Sequence, residues 1–338
     1  MTETVLITGG TGYVAGWCIA DLLKRGYRVR TTVRDLVKEA DLRAAIAAEA
    51  GTATELSFHI ADLLSDEGWD AALDGCDYVL HTASPLGGGD SRDRYSLVAP
   101  ARDGTLRVLR AAVKAGVKRV VMTSAAATAR PPLDSGITSN ETVWADAEDS
   151  QFDSYRVSKI LAEKAAWDFM AEQGGTTEFS TILPGAVFGP VLSGSQQGSV
   201  TILNDLLHGR PAAMPRLGFW VVDVRDLADV HIRAMTSANA KGERFIAVGD
   251  FMWMEEIAKA LRAGLGARGR KVPKLRMPDF MVRFLLPFLP QLKSIAPLIG
   301  RKFPIDAQKA RTVLGFAPRP GAVTVVECAE SLLSHRRA

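Results

Sequence analysis

The stretch from Thr4 to Val33 limits the fold more than any other part of the chain. Thr4 to Thr8 is a short β-rich run, and Gly9, Gly10, Gly12 and Gly16 crowd the residues that follow it. Trp17 to Lys24 then carries apolar residues at helical spacing, and Gly26 precedes a second β-rich run, Arg28 to Val33. Strand, tight turn, helix and strand in so short a span make a βαβ unit, which sets two strands parallel. Leu56 to Ile60, Tyr78 to Thr82 and Arg119 to Thr123, the last after a helical stretch from Thr105 to Ala115, continue the alternation. The pattern predicts an α/β fold with a Rossmann-type doubly wound parallel sheet. No internal repeat or low-complexity segment interrupts it.

Composition is compatible with such a domain. Hydrophobic residues make up 47% and charged residues 23% of 338, which excludes disordered, collagenous and coiled-coil chains. Forty-one Lys plus Arg against 38 Asp plus Glu leave a net charge of +3, too weak to imply a nucleic-acid or membrane partner. Cys18, Cys76 and Cys328 lie far apart, without metal-ligand spacing, as expected of buried thiols in a reducing compartment. The residues from Met1 to Leu6 lack the basic stretch and apolar run of an export signal, so a cytoplasmic location is expected. The most apolar segment, Phe280 to Ile299, is broken by Arg283, Lys293, Pro287, Pro290 and Pro297. It is expected to be an amphipathic cap over a pocket rather than a membrane span.

The turn reads Thr8-Gly9-Gly10-Thr11-Gly12-Tyr13-Val14-Ala15-Gly16. Glycines between a strand and a helix let the backbone approach a pyrophosphate at the helix N-terminus, where free N–H groups favour anions. Gly9, Thr11, Gly12, Tyr13 and Val14 are therefore candidate contacts of a dinucleotide. After the second strand, Val33 stands where an acidic residue would hold the ribose of NAD, with Arg34 next to it and Lys38 a turn later. These cations suit a 2′-phosphate, so NADP(H) is expected, with NAD(H) and a ribose contact from Asp35 as the alternative. Asp62, just past the third strand, is placed either to meet the adenine edge or to cap its own loop.

Tyr155 and Lys159 sit at i and i+4 in the segment Ser154-Tyr155-Arg156-Val157-Ser158-Lys159, which heads a helix running to about Ala171. On one helix face, an ammonium favours the phenolate and is expected to lower the phenol pKa toward that of a working general acid or base. His81 and His231 read as structural.

With these residues in place, the chain resembles the short-chain dehydrogenase/reductase superfamily. The likeness is to its extended type, the NAD-dependent epimerase/dehydratase family, and within that to the dihydroflavonol 4-reductase-like and aldehyde reductase branch. It spans most of the chain and rests on the Thr8 to Gly16 turn, Arg34, Asp62-Leu63, His81-Thr82-Ala83-Ser84-Pro85, Thr123-Ser124, Tyr155 with Lys159, Leu183 to Pro190, and Val222 to Ala228. It implies that Tyr155 passes a proton to a carbonyl oxygen while hydride reaches the carbonyl carbon, and that Lys159 lowers the phenol pKa and bonds the nicotinamide ribose. It also implies cofactor contacts from Leu63, Thr82, Ala83, Ser84, Pro184 and Val187. A Ser or Thr after the strand Arg119 to Thr123 orients the carbonyl in relatives. Ala125 falls where many of them carry the late hydroxyl, so Ser124 is expected to serve, with Thr128 and Thr123 as substitutes.

The expected dinucleotide-binding domain covers 1–187, and 220–250 returns to it. The expected substrate-binding region, mainly helical, covers 188–219 and 251–338, with helices at Met254 to Leu265, Pro278 to Leu289 and Val323 to Ser334. Pro85, Phe152, Phe188 and Trp220, with Leu86, Trp144, Met214 and Phe219, are candidate pocket residues at strand ends and in loops. Together they suit an apolar or aryl carbonyl or alcohol, whereas a sugar nucleotide would want more polar anchors. The expected activity is an NADPH-dependent, reversible reduction of aldehydes or ketones by a monomer or homodimer with no metal. The alternatives are an NAD-dependent sugar-nucleotide epimerase or dehydratase and a catalytically silent NADP-sensing protein. Arg262, Arg268, Arg270, Lys271, Lys274 and Arg276 form a basic cluster expected to be a solvated face.

Overall fold

Seven parallel strands form the large sheet of the computed structural model, which describes residues 2–85, 93–192, 198–285 and 295–335, the side chains of 283 and 285 excepted. The first six strands in the chain are β1 (Thr4–Ile7), β2 (Arg28–Val33), β3 (Leu56–Ile60), β4 (Tyr78–His81), β5 (Arg119–Thr123) and β6 (Glu178–Pro184). Five more are β7 (Ala186–Phe188), β8 (Ala213–Met214), β9 (Gly218–Asp223), β10 (Glu243–Ala247) and β11 (Phe251–Trp253), followed by β12 (Leu275–Arg276). The large sheet runs in the order β10-β6-β5-β4-β1-β2-β3. Chain direction across the sheet reverses between β1 and β4, so a crevice opens at their carboxyl ends.

Period-two alternation divides the core between the two faces of the sheet. Val5 and Ile7 of β1 pack with α1 (Tyr13–Lys24), α2 (Glu39–Ala50), α7 (Val224–Thr236) and α10 (Gln308–Leu314). Leu6 packs on the other side with α3 (Trp69–Leu73), α4 (Val98–Lys114) and α5 (Ser154–Glu172). Each such fully buried aliphatic side chain contributes about 1.5 to 3 kcal/mol, which explains why these strands read as continuous apolar runs.

Two helices begin earlier than their apolar periodicity indicates. α1 starts at Tyr13 rather than Trp17, because Ala15 enters the core and Tyr13 and Val14 pack against it, a turn that the apolar spacing from Trp17 onward does not mark. α4 starts at Val98 rather than Thr105. Its interior glycine, Gly104, is a site of close approach, since a Cβ there would lie 2.8 Å from that of Leu63.

The second region centres on a small sheet, β11-β9-β7, and the short pair β8 and β12. Around it pack α6 (Val200–Leu207), α8 (Met254–Leu265) and α11 (Gly321–Ser334) through Leu203, Leu206, Ile257, Leu261, Val325 and Cys328. Between α8 and α11 in the chain, α9 spans Asp279–Leu285. Trp220 sits in β9 and pairs with this small sheet, so the chain re-enters the large sheet through α7 and β10, from Val224 onward. Leu86 and much of the expected cap between Phe280 and Ile299 lie outside the described residues. Among the described residues no helix is long and apolar enough to cross a membrane.

Candidate active site

The crevice between β1 and β4 is closed by a hydrogen-bonded clasp. The Thr8 hydroxyl accepts from the Ala83 N–H at 3.0 Å and shares a hydrogen bond with His81 Nδ1 at 2.8 Å, while the Thr82 hydroxyl donates to the Thr8 carbonyl at 2.7 Å. His81 Nε2 faces the Thr105 hydroxyl at 3.3 Å, and burial pushes this imidazole down to about 3, so it is neutral. Gly9 has φ +73°, and a Cβ there would lie 3.0 Å from the Ala83 Cβ, so only glycine fits.

Gly12 forms the N-cap of α1 with no side-chain cap and no acidic residue in the first turn, which leaves the helix N-terminus available to an anion. Thr11 is exposed in this turn and Val14 is half-buried. The Tyr13 hydroxyl donates to the Gly189 carbonyl at 2.6 Å, and the Trp17 indole donates to the Pro190 carbonyl at 2.8 Å, so α1 is braced to the segment after β7.

Past β2, Arg34 and Lys38 are exposed, and their side chains form no hydrogen bond or ion pair among the described residues. Asp35 instead accepts from the Val37 N–H at 3.1 Å within its own turn. Asp62 likewise accepts from the Leu64 N–H at 3.0 Å, as a turn residue does, and Leu63 packs against α4 beneath it. The open helix end, the glycine cradle and the two unpaired cations fit the phosphates of a dinucleotide.

Asp153 caps α5 by accepting from the Arg156 N–H at 2.9 Å, which places Tyr155 in the first turn and Lys159 one turn on. Lys159 is 4% exposed and donates to the Thr123 carbonyl, at the end of β5, at 3.0 Å. Burial lowers its ammonium to about 8 despite the opposing pull of Glu163. Burial also raises the Tyr155 phenol to about 12, with smaller opposed influences from Arg156 and Asp153. The direction is opposite to that expected from the Tyr-Lys spacing, because desolvation of the phenolate outweighs any nearby cation. Tyr155 is therefore held as a phenol, which suits a proton donor.

The hydroxyls after β5, that of Ser124 among them, all have partners within the protein. Ser124 is 2% exposed and donates to Glu163 Oε2 at 2.5 Å. Thr128 donates to the Ala125 carbonyl at 2.9 Å, and Thr123 pairs with His231 Nε2 at 2.7 Å. Beneath the site, Glu163 is fully buried and accepts from Thr181 and from Arg244 Nε, each at 2.9 Å. Arg244 in turn donates to the carbonyls of Glu141 and Val143 at 2.9 and 2.8 Å. This network escaped sequence reading, although Glu163 lies at i+4 from Lys159 on the same helix.

Pro184 is buried at the end of β6 and Val187 is half-buried in β7, where the chain leaves the large sheet. Ser84 and Pro85 are half-buried beyond β4. Phe188 and Met214 are enclosed in the core of the second region and present no surface to a ligand. Phe152 is 4% exposed, against Val157 and Ile160. Trp144 lies under the Arg244 guanidinium, 3.7 Å from ring centroid to Cζ. Trp220 is half-buried, meets Phe251 edge-on at 5.5 Å and donates to the Phe303 carbonyl at 2.8 Å. Lys302 stands over the same pair, 5.4 Å from Trp220 and 5.1 Å from Phe251.

A family model described as the NAD dependent epimerase/dehydratase family matches residues 5–249. The chain belongs to this family. It is 32% identical to cinnamoyl-CoA reductase CAD2 of Medicago truncatula, over 98% of this chain and 95% of that protein. It is 35% identical to dihydroflavonol 4-reductase of Arabidopsis thaliana, over 82% and 72% of the two chains. The fold matches the crystal structure of yeast methylglyoxal/isovaleraldehyde reductase Gre2 complexed with NADPH, with a TM-score of 0.76, 26% identity and 99% of each chain covered. The relatives are extended short-chain reductases, and a nicotinamide cofactor follows for this family member.

Proposed function

We propose that the protein is an NADPH-dependent reductase of aldehydes or ketones that also runs in reverse as an alcohol dehydrogenase. The observation that carries this reading is a phenol kept protonated by burial, Tyr155, one helical turn from a buried lysine tied to the end of β5. The cofactor, when bound, supplies hydride to the carbonyl carbon. Tyr155 gives its proton to the carbonyl oxygen, and Lys159, anchored on the Thr123 carbonyl, supports the charge that develops there. With Ser124, Thr128 and Thr123 engaged, Tyr155 orients the oxygen without help from the hydroxyls after β5. Arg34 and Lys38, exposed and unpaired, favour the 2′-phosphate of NADPH, and the reductases among its relatives support the same cofactor class. The test is oxidation of NADPH and NADH against aryl and alkyl carbonyls. Turnover with NADPH and preference for it over NADH are expected. Tight co-purification of NAD with no turnover of any carbonyl would favour a sugar-nucleotide epimerase instead.

A further inference from the structure

Two successive turns of α5 grip two successive residues at the end of β5. Lys159 Nζ donates to the Thr123 carbonyl at 3.0 Å, and one turn on, Glu163 Oε2 accepts from the Ser124 hydroxyl at 2.5 Å. Residues at i and i+4 of a helix have Cβ atoms about 5 to 6 Å apart, so ammonium and carboxylate emerge from one face of α5 onto the same strand end. Both side chains are buried, that of Glu163 completely. The strand end is itself fixed, because the Ser124 N–H donates to the Ile182 carbonyl at 2.8 Å and the Thr123 hydroxyl shares a hydrogen bond with His231 Nε2 at 2.7 Å.

A buried ammonium bonded to a neutral carbonyl needs a counter-charge, since an uncompensated buried ion gives up its proton more readily. Among the described residues, the groups packed around Lys159 leave one that can supply it. His81 of β4 and His231 of α7 are kept neutral by burial, which lowers them to about 3 and about 4. On α5 itself, Tyr155 is a phenol and Asp153 is paired with Arg156 at 2.5 Å. β5 and β6 carry their charges at the opposite end of the sheet, where Arg119 meets Glu178 at 3.0 Å. Along α4, Arg102 pairs with Asp103, Arg107 with Asp66 and Lys114 with Asp70, and Arg110 lies over Phe169. Glu141 accepts from the Ile246 N–H at 2.9 Å. Glu163 remains, and its charge pulls the Lys159 ammonium upward against the larger lowering by burial.

We propose that Glu163 is a positioning residue, the buried counter-charge that keeps Lys159 an ammonium at the Thr123 carbonyl. Thr181 and Arg244 Nε, each at 2.9 Å, hold the far oxygen of the carboxylate, which turns Oε2 toward the strand end. The effect on turnover rests on the reductase reading above.

The test follows the Lys159 titration directly, by NMR of protein carrying lysine labelled with ¹³C at Cε, the Lys159 signal being the one lost in K159R. E163Q keeps the shape of the side chain and removes its charge, so the Lys159 midpoint should fall by about one pH unit or more, the scale of a charge pair one helical turn apart in a protein interior. T181V takes one hydrogen bond from the same carboxylate and leaves its charge, so its midpoint should match that of the natural protein, and E163D should restore most of the natural value. With NADPH and benzaldehyde, the alkaline fall in kcat/KM should begin at lower pH in E163Q by a like amount and stay in place in T181V. E163Q/R244M, which removes both charges of the buried pair, serves where E163Q alone does not fold, and its midpoint should fall likewise. An unchanged midpoint in E163Q or in the double variant, or an equal fall in T181V, would show a carboxylate that only braces α5 against β5. If the midpoint falls while no carbonyl is reduced, the reductase reading fails and the counter-charge stands. If carbonyls are reduced and the midpoint does not move, the counter-charge fails and the reductase reading stands.

Discussion

Replacing Ser124 by Ala should cost stability and leave turnover intact, because the Ser124 hydroxyl serves Glu163 and not the substrate. The Ser124 Oγ donates to Glu163 Oε2 at 2.5 Å, and the next donor to that oxygen is Arg244 Nη2, at 3.4 Å. The other oxygen, Oε1, keeps Thr181 and Arg244 Nε, each at 2.9 Å. The Ser124→Ala change thus removes the one short bond to a fully buried carboxylate oxygen. Hydrogen bonds to charged groups contribute about 1.5 to 3 kcal/mol, and the void left by one hydroxyl adds little. Urea unfolding should show a loss of that size, and Thr181→Val, acting on the opposite oxygen, should lose a similar amount. Under saturating NADPH, kcat should stay within about threefold, whereas removal of a donor to a developing oxyanion costs about 10- to 1,000-fold. A Ser124→Ala variant with unchanged stability and a kcat reduced more than tenfold would refute the assignment and return the hydroxyl to the substrate.

Arg34→Ala should weaken NADPH binding by about 10- to 100-fold and leave NADH nearly unchanged, the result for a lost charge-assisted bond to the 2′-phosphate. Equal effects on both cofactors in fluorescence titration would remove Arg34 from that role. Tyr155→Phe should reduce turnover by about 10² to 10⁴ while cofactor binding survives, and a fully active variant would overturn the proton-donor role. Two buried histidines set the response to mild acid: burial lowers His81 to about 3 and His231 to about 4, both below the unfolded value. The unfolded chain therefore takes up protons first as pH falls through about 6.5, so the urea midpoint should drop steadily from pH 7 to 4. A midpoint that is flat or rising over that window would contradict the neutral buried imidazoles.

Much of the fold was legible because punctuation and periodicity agree. β2, β3 and β5 run between the residues that the sequence marks, and α8 spans Met254–Leu265 as its apolar spacing predicts. The glycine turn between a strand and a helix located the crevice, and the i, i+4 spacing placed Tyr155 and Lys159 on one helix. What the pattern concealed were contacts between segments far apart in the chain. Arg244 reaches Glu163 across 81 positions and Thr128 across 116, and no local signal announces a buried ion pair formed that way.

The direction of the Ser124 hydroxyl has a different origin, and the alternation of β5 accounts for it. Val121 packs on the α7 face of the sheet, while Val120 and Met122 pack on the face covered by α4 and α5. Continuing that period of two, Thr123 should point toward α7 and Ser124 toward α5. The Thr123 hydroxyl does meet His231 of α7, and the Ser124 hydroxyl does meet Glu163 of α5. Position after the strand made Ser124 plausible, but the face on which its side chain emerges commits it to the packing beneath the site. The next residue, where the strand ends and the backbone turns, is Ala125, which has no hydroxyl to offer. The same logic explains Tyr155, where spacing identified the neighbour but burial fixed the protonation state. A phenol raised to about 12 and, one helical turn on, an ammonium lowered to about 8 are both protonated at neutral pH, the state from which a carbonyl oxygen can be given its proton.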